Sequence, residues 1–502
     1  MSIRAGRRND SVSGGRAAPS ALSSGALTGL SLAVVSVAGA VAAALLSREA
    51  GKGPVTDGFF AGYGVYLVLV LVASAFRFVV LPGLTRAQER GALGGQLARS
   101  AVAFGVVAAP ALVVALALSH PLAVALTHDR VAQESAAEAL RWMLPAAVAQ
   151  LYAGLLASAL AARGSYRTAA LGFAVGAVAA VVLFAALVDE HGPVALMWGL
   201  ALNGAIAVAF PALHLAAARQ LGQVAGWTSG VGREAVELAR GVALPVAAQV
   251  LFVVGGRFAS GLGAGEQTTF AYAYIVASVV VTVSAGALSL VSSAPLTRTG
   301  LDAAAAVRHV AAASWVSLVL VALTTALVWL VGPDVFGAAL GGAYDGASGE
   351  QLAHVVVALT PWAIVAVAFS VAYPLTFVVG RTAWLPGLAA GVVLVDVPLA
   401  WAGREARGLV GLALGLAVAT ALLLAGVLAL VAGRRLLEVG RALALAALVC
   451  GATGLVAFGL PRLVLGPWPA ALLGTALYAG LFLLTRPRPL REAVAYLRGL
   501  GR

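Results

Sequence analysis

"FAGYGVYLVLVLVASAFRFVVLPGLTR", residues 60–86, and "FAYAYIVASVVVTVSAGALSLVSSAPLTR", residues 270–298, share a plan: Phe-Ala, early tyrosines, an apolar run, then Leu-Thr-Arg. Their starts lie 210 residues apart and their ends 212. A second pair follows in the same order. "LPAAVAQLYAGLLASALAARGSYRTA" (144–169) parallels "LTPWAIVAVAFSVAYPLTFVVGRTA" (359–383), matching Pro145 with Pro361 and Gly164 with Gly380. Two ordered matches at nearly one offset indicate a duplicated unit. The unit holds six apolar stretches, an even number, so both copies share one orientation and are related by an axis along the membrane normal.

The composition sets the solvent. Of 502 residues 61% are hydrophobic and 10% charged, against about 25% charged in a soluble domain. The fold class is an all-α polytopic membrane protein. Stretches of roughly 20 apolar residues recur fourteen times: 24–47, 58–83, 99–118, 139–162, 167–188, 193–217, 238–257, 268–294, 309–331, 353–379, 383–401, 407–432, 440–460 and 466–485. They divide into a basic tail (1–23), two six-helix bundles (24–222 and 223–437), two additional helices (438–485) and a second tail (486–502). The segment 218–237 links the bundles and reads as partly amphipathic.

Charge supports the count. With the N-terminus inside, 23 of the 32 Lys/Arg fall in cytoplasmic segments and 12 of the 20 acids in outer loops. That is the positive-inside pattern. It predicts a multi-pass protein of a bacterial plasma membrane with both termini cytoplasmic. The basic tail is read as topogenic rather than as a nucleic-acid site.

Several chemistries are excluded. The single cysteine, Cys450, rules out an intrachain disulfide and a multi-cysteine metal site. The single lysine, Lys52, lies in Gly-Lys-Gly and lacks phosphate-loop spacing. No His-Glu-x-x-His and no Gly-x-Ser-x-Gly occur. The expectation is a non-enzyme with no cofactor and no metal. "GLGAG" (261–265) reads as a loop between membrane helices. Parallel repeats around a central interface are the plan of alternating-access transporters.

"GKGPVTDGFF" (51–60), "FVVLPGLTRA" (78–87) and "GRFASGLGAGEQTTFAYAYIV" (256–276) resemble the entry to helix 2, its exit, and the loop into helix 8 of the MurJ/MviN-type lipid flippases of the multidrug/oligosaccharidyl-lipid/polysaccharide exporter superfamily. The resemblance runs over most of the chain in short motifs. It implies a flippase that moves a polyprenyl-linked peptidoglycan or polysaccharide precursor, with the bilayer, a coupling cation or proton and cell-wall synthesis proteins as partners. Two other readings stand beside it: a cation-coupled small-molecule exporter of the same superfamily, and a non-transporting cell-wall scaffold with a flippase fold. The family places cavity arginines in helices 1, 2 and 8. Here 24–47, 58–76 and 268–294 carry no charge.

Candidate residues follow. Arg77 is the one charge within its apolar run, read either as an arginine snorkelling to the interface or as a gate or headgroup contact. Asp57 is read as a helix cap or, by the resemblance, a gate residue. Arg257 ends its helix as an interface anchor or gate. Tyr63, Tyr272 and Tyr274 match between the repeats and either pack or line the substrate path. Gln150 and Gln249 suit interhelical hydrogen bonds or substrate contact. Asp396 is the only acid deep in an apolar run, a candidate for ion coupling or for a buried structural hydrogen bond.

Overall fold

A computed structural model of the chain describes residues 21–217, 228–286 and 302–500. Among them no strand occurs; the structure is helix and short turns. The first half comprises α1 (Ala21–Ala50), α2 (Pro54–Glu89), α3 (Leu93–Ala117), α4 (Ser119–Leu126), α5 (Arg130–Ala162), α6 (Tyr166–His191) and α7 (Pro193–Ala217). The second comprises α8 (Val231–Ala259), α9 (Glu266–Val281), α10 (Ala303–Leu340), α11 (Ala347–Ala358), α12 (Thr360–Ala372), α13 (Leu375–Val379) and α14 (Leu385–Val431). Then come α15 (Leu436–Arg462), α16 (Pro467–Thr485) and α17 (Arg488–Leu500).

Eleven helices among the described residues are long and apolar enough to cross a membrane. One of them, α14, is 47 residues long, about 70 Å at 1.5 Å per residue. That is more than twice the roughly 30 Å of a hydrocarbon core. It breaks at Arg407 and Gly408, where Gly408 takes φ 56. The halves fold back on each other so closely that a Cβ on Gly411 would collide with the Gly403 carbonyl. The two expected runs 383–401 and 407–432 are therefore an antiparallel pair. The expected run 353–379 is α11, α12 and α13 in series. The stretch 119–138, between two of the expected runs, is mostly helix, being α4 and the first turns of α5.

Helix contacts repeat in the two halves. In the first, α2 packs on α5, α1 on α6 and α5 on α7. In the second, α9 packs on α12, α8 on α14 and α12 on α14. These are the pairings a duplicated six-helix unit requires. Small residues let the backbones approach. A Cβ on Gly58 would meet the Ala132 carbonyl, and one on Gly62 the Ala139 methyl at 2.5 Å. The halves meet along α2, α3, α8 and α9. Outside them, α15 and α16 pack on α10. The amphipathic α17 also lies on α10, burying Ala493.

Candidate functional site between the two halves

At the end of the molecule that gathers the turns α1–α2, α4–α5 and α8–α9, the first half holds the helix termini of the second. Asp57, in the first turn of α2, is buried. Its Oδ2 accepts from the Gly265 N–H at 2.6 Å. Its Oδ1 accepts from the Thr268 N–H at 2.8 Å and from Thr268 Oγ1 at 2.6 Å. The residue does cap a helix, but the helix is α9 rather than its own. A carboxylate satisfies the orphan amides there and suits the positive end of the dipole. Gly265, with φ 81, is required at this place: a Cβ would run into the Lys52 stem.

Arg48 completes the complement. Its Nη2 donates to the Ala338 carbonyl at 2.7 Å and its Nε to Ala339 at 3.2 Å. A cation thus sits on the last carbonyls of α10, the negative end of that helix. Lys52 Nζ pairs with Glu266 Oε1 at 3.2 Å and donates to Gln351 Oε1 at 3.0 Å, while Gln351 Nε2 donates to Glu266 Oε2 at 2.8 Å. Arg257 meets His128 rather than solvent alone: its Nη1 lies 2.5 Å from His128 Nδ1 and 2.8 Å from Nε2, and Nδ1 also lies 3.0 Å from Ser260 Oγ. Burial first, then the Arg257 and Arg404 charges, push the His128 pKa below the ordinary imidazole value.

Between the ends the interface is aromatic. Tyr63 stacks on Phe59 and Tyr66 at 5.9 and 5.6 Å. Phe60 meets Tyr272 edge-on at 4.9 Å, which joins the halves directly. Tyr274 stacks on Phe252 at 4.1 Å, and its Oη accepts from Gln249 Nε2 at 2.8 Å. The recess beside Phe60, Gly64 and Phe252 holds about 10 Å³, the room of one water at most.

At the opposite end, Glu234 of α8 accepts from Ser100 Oγ and from Gln96 Nε2 at 3.1 Å, both on α3. Beside this contact a cleft of about 560 Å³ opens between α2, α3 and α8. Among the described residues, the halves are joined by the Asp57, Arg48 and Lys52 contacts at one end and by the Glu234 contact at the other.

Of the residues singled out in the sequence, Asp57, Arg257, Tyr63, Tyr272, Tyr274 and Gln249 come together along the interface. Gln150 is buried within α5. Asp396 is buried in α14, and its Oδ2 has no hydrogen-bond partner among the described residues. Arg77 belongs to α2, but its side chain lies outside the described residues. Reading by segments missed Arg48, Lys52, His128, Glu234 and Glu266. Their signal is only that charges stand beside helix ends, and their partners lie far away in the chain.

No family model and no curated protein matches this sequence. Solved structures do. A lipid II flippase, MurJ, in an inward closed conformation superposes with TM-score 0.69 at 12% identity, covering 95% of this chain and all of that one. The chain has the fold of these membrane transporters. A eukaryotic MATE transporter matches with TM-score 0.58 at 14% identity over 85% of this chain and 97% of that one. The MATE transporter VcmN from Vibrio cholerae matches with TM-score 0.54 at 16% identity over 85% and 94%. The polytopic all-α class and the expected resemblance to the exporter superfamily are both met by this fold.

Proposed function

We propose that the chain is a flippase for a polyprenyl-linked saccharide precursor, working by alternating access of the two halves. The observation that carries this reading is coverage. The MurJ structure spans 95% of the chain, whereas the MATE structures span 84–86%. The two helices added after the duplicated unit, α15 and α16, give this chain more than the duplicated unit alone.

The headgroup would enter from the Glu234 end, which the arginine distribution assigns to the bacterial cytoplasm, and leave at the Asp57 end. The tail would stay in lipid. Opening outward needs the Asp57, Arg48 and Lys52 contacts to separate together. Opening inward needs, among the described residues, the Glu234 contact to part, while the aromatic contacts beside Asp57 stay closed. Arg77 would meet the headgroup from the inner side, and Gln150 would support the first half from within. Membrane potential or an ion gradient would supply the drive, since the sequence encodes no nucleotide site.

A second reading, a cation-coupled small-molecule exporter, is favoured by Asp396, a buried carboxylate with an unfilled acceptor. A buried carboxylate within a membrane is a site for a proton or cation. Depletion of the protein separates the readings. A flippase leaves a lipid-linked saccharide accumulating on the cytoplasmic leaflet. An exporter leaves lipid intermediates unchanged and alters tolerance to small cations. The scaffold reading predicts neither, but displaced cell-wall enzymes.

A further inference from the structure

The interface helices carry few charges, yet arginines converge in one place. The cleft of about 560 Å³ is lined by Arg86 and Arg90 at the end of α2, Arg99 on α3 and Arg233 on α8. These segments lie some 140 residues apart in the chain, so the convergence is made by folding. Two carboxylates share the cleft, Glu234 and Glu237. Four guanidiniums and two carboxylates thus face one cleft. Glu234 is engaged by Ser100 and Gln96. Glu237 pairs with Arg233 at 3.1 Å across exposed surface, a contact of little strength that an incoming anion can replace.

We propose that this cleft binds a phosphate-bearing dianion, as a site separate from the aromatic interface. Guanidinium forks match phosphate oxygens in pairs of charge-assisted bonds. The cleft also opens at the ends of α2 and α8, where a lipid headgroup and a soluble phosphate can both reach it. Its place matters to the transport reading. Glu234 is both a wall of the cleft and the contact that joins α3 to α8, so an anion drawing the arginines would load this contact directly. That consequence rests on the flippase reading; binding itself does not.

The test uses the full-length protein. Calorimetric titration with inorganic diphosphate in detergent forms one arm. Binding to phosphatidylcholine nanodiscs with and without a polyprenyl monophosphate forms the other. Arg90 and Arg233 are exposed, so the double variant R90Q/R233Q keeps the fold, and R407Q, at the opposite end, serves as the charge control. Affinity should fall at least about tenfold in the double variant and hold in the control. Loss in the diphosphate arm supports a soluble ligand, and loss in the nanodisc arm alone supports a lipid headgroup. No binding in either arm, or equal binding by the double variant, overturns the proposal. A protein that binds the anion in this way but moves no lipid-linked saccharide keeps the site and loses the flippase reading.

Discussion

Asp57 of α2 receives both the backbone N–H and the hydroxyl of Thr268, at 2.8 and 2.6 Å, and so fastens the start of α9 to the other half of the molecule. These are charge-assisted bonds in a buried place, each worth about 1.5–3 kcal/mol. The Lys52–Glu266 pair beside it is partly open, at 15% and 19% exposure, and partly screened. The carboxylate is therefore the stronger fastener.

An Asp57→Ala variant leaves the α9 amides without acceptors. It should shift the population toward an open Asp57 end and lower the melting temperature. The loss should exceed that in Lys52→Met. Accessibility of a cysteine placed at Thr269, in a Cys450→Ala background, to a membrane-impermeant thiol reagent measures the shift. Equal labelling in the Asp57 variant and its parent would mean that the contact does not hold this end closed.

Protonation of His128 should loosen the same end. One of its ring nitrogens accepts from Arg257, which requires an unprotonated nitrogen, and the His128 pKa is lowered in the closed arrangement. A lowered pKa means that the open or unfolded form takes up a proton first. The His128 contribution is thus present above the ordinary value of about 6.5 and is lost as pH falls below it toward the folded value. Labelling at the Asp57 end should rise through that window, and His128→Gln should flatten the response. A response unchanged by the substitution would place the titrating group elsewhere.

The hairpin within α14 depends on two glycines. A side chain on Gly411 would strike the Gly403 backbone, so relief requires the halves to move apart rather than a rotamer to turn. Gly411→Val should cost about 1–3 kcal/mol, as overpacking does, and reduce the yield of folded protein. Gly451→Val, where a Cβ has open space, is the comparison. Equal yields would contradict the close approach.

The apolar runs and their repeat are legible because each depends on a local pattern of length and period. The break at Arg407–Gly408 lies at the first residues of the expected run 407–432. Partnerships were not legible. Asp57 reads locally as a cap, and nothing near it in the chain says that the capped helix begins more than 200 residues later at Glu266. The Gly265 turn looked like any loop, although Lys52 packs where its side chain would be. Arg257 looked like an interfacial anchor because His128 belongs to a distant turn. The plug was half legible: the tyrosines matched between repeats, but their meeting with Phe60 and Phe252 depends on how α2 crosses α8 and α9.

The central claim is that the halves rock about this interface to carry a headgroup across. Proteoliposomes containing the purified chain and a polyprenyl-diphosphate saccharide with a dithionite-sensitive fluorophore on its headgroup test it directly. Cysteines at Lys52 and Glu266, whose side chains pair across the Asp57 end, joined in the Cys450→Ala background by a disulfide-containing bismaleimide, supply a reversible lock. The account predicts protein-dependent loss of inner-leaflet fluorescence, arrested by cross-linking and restored by reductant. Fluorescence loss no faster than in protein-free vesicles, or equally fast with the lock closed, would contradict it.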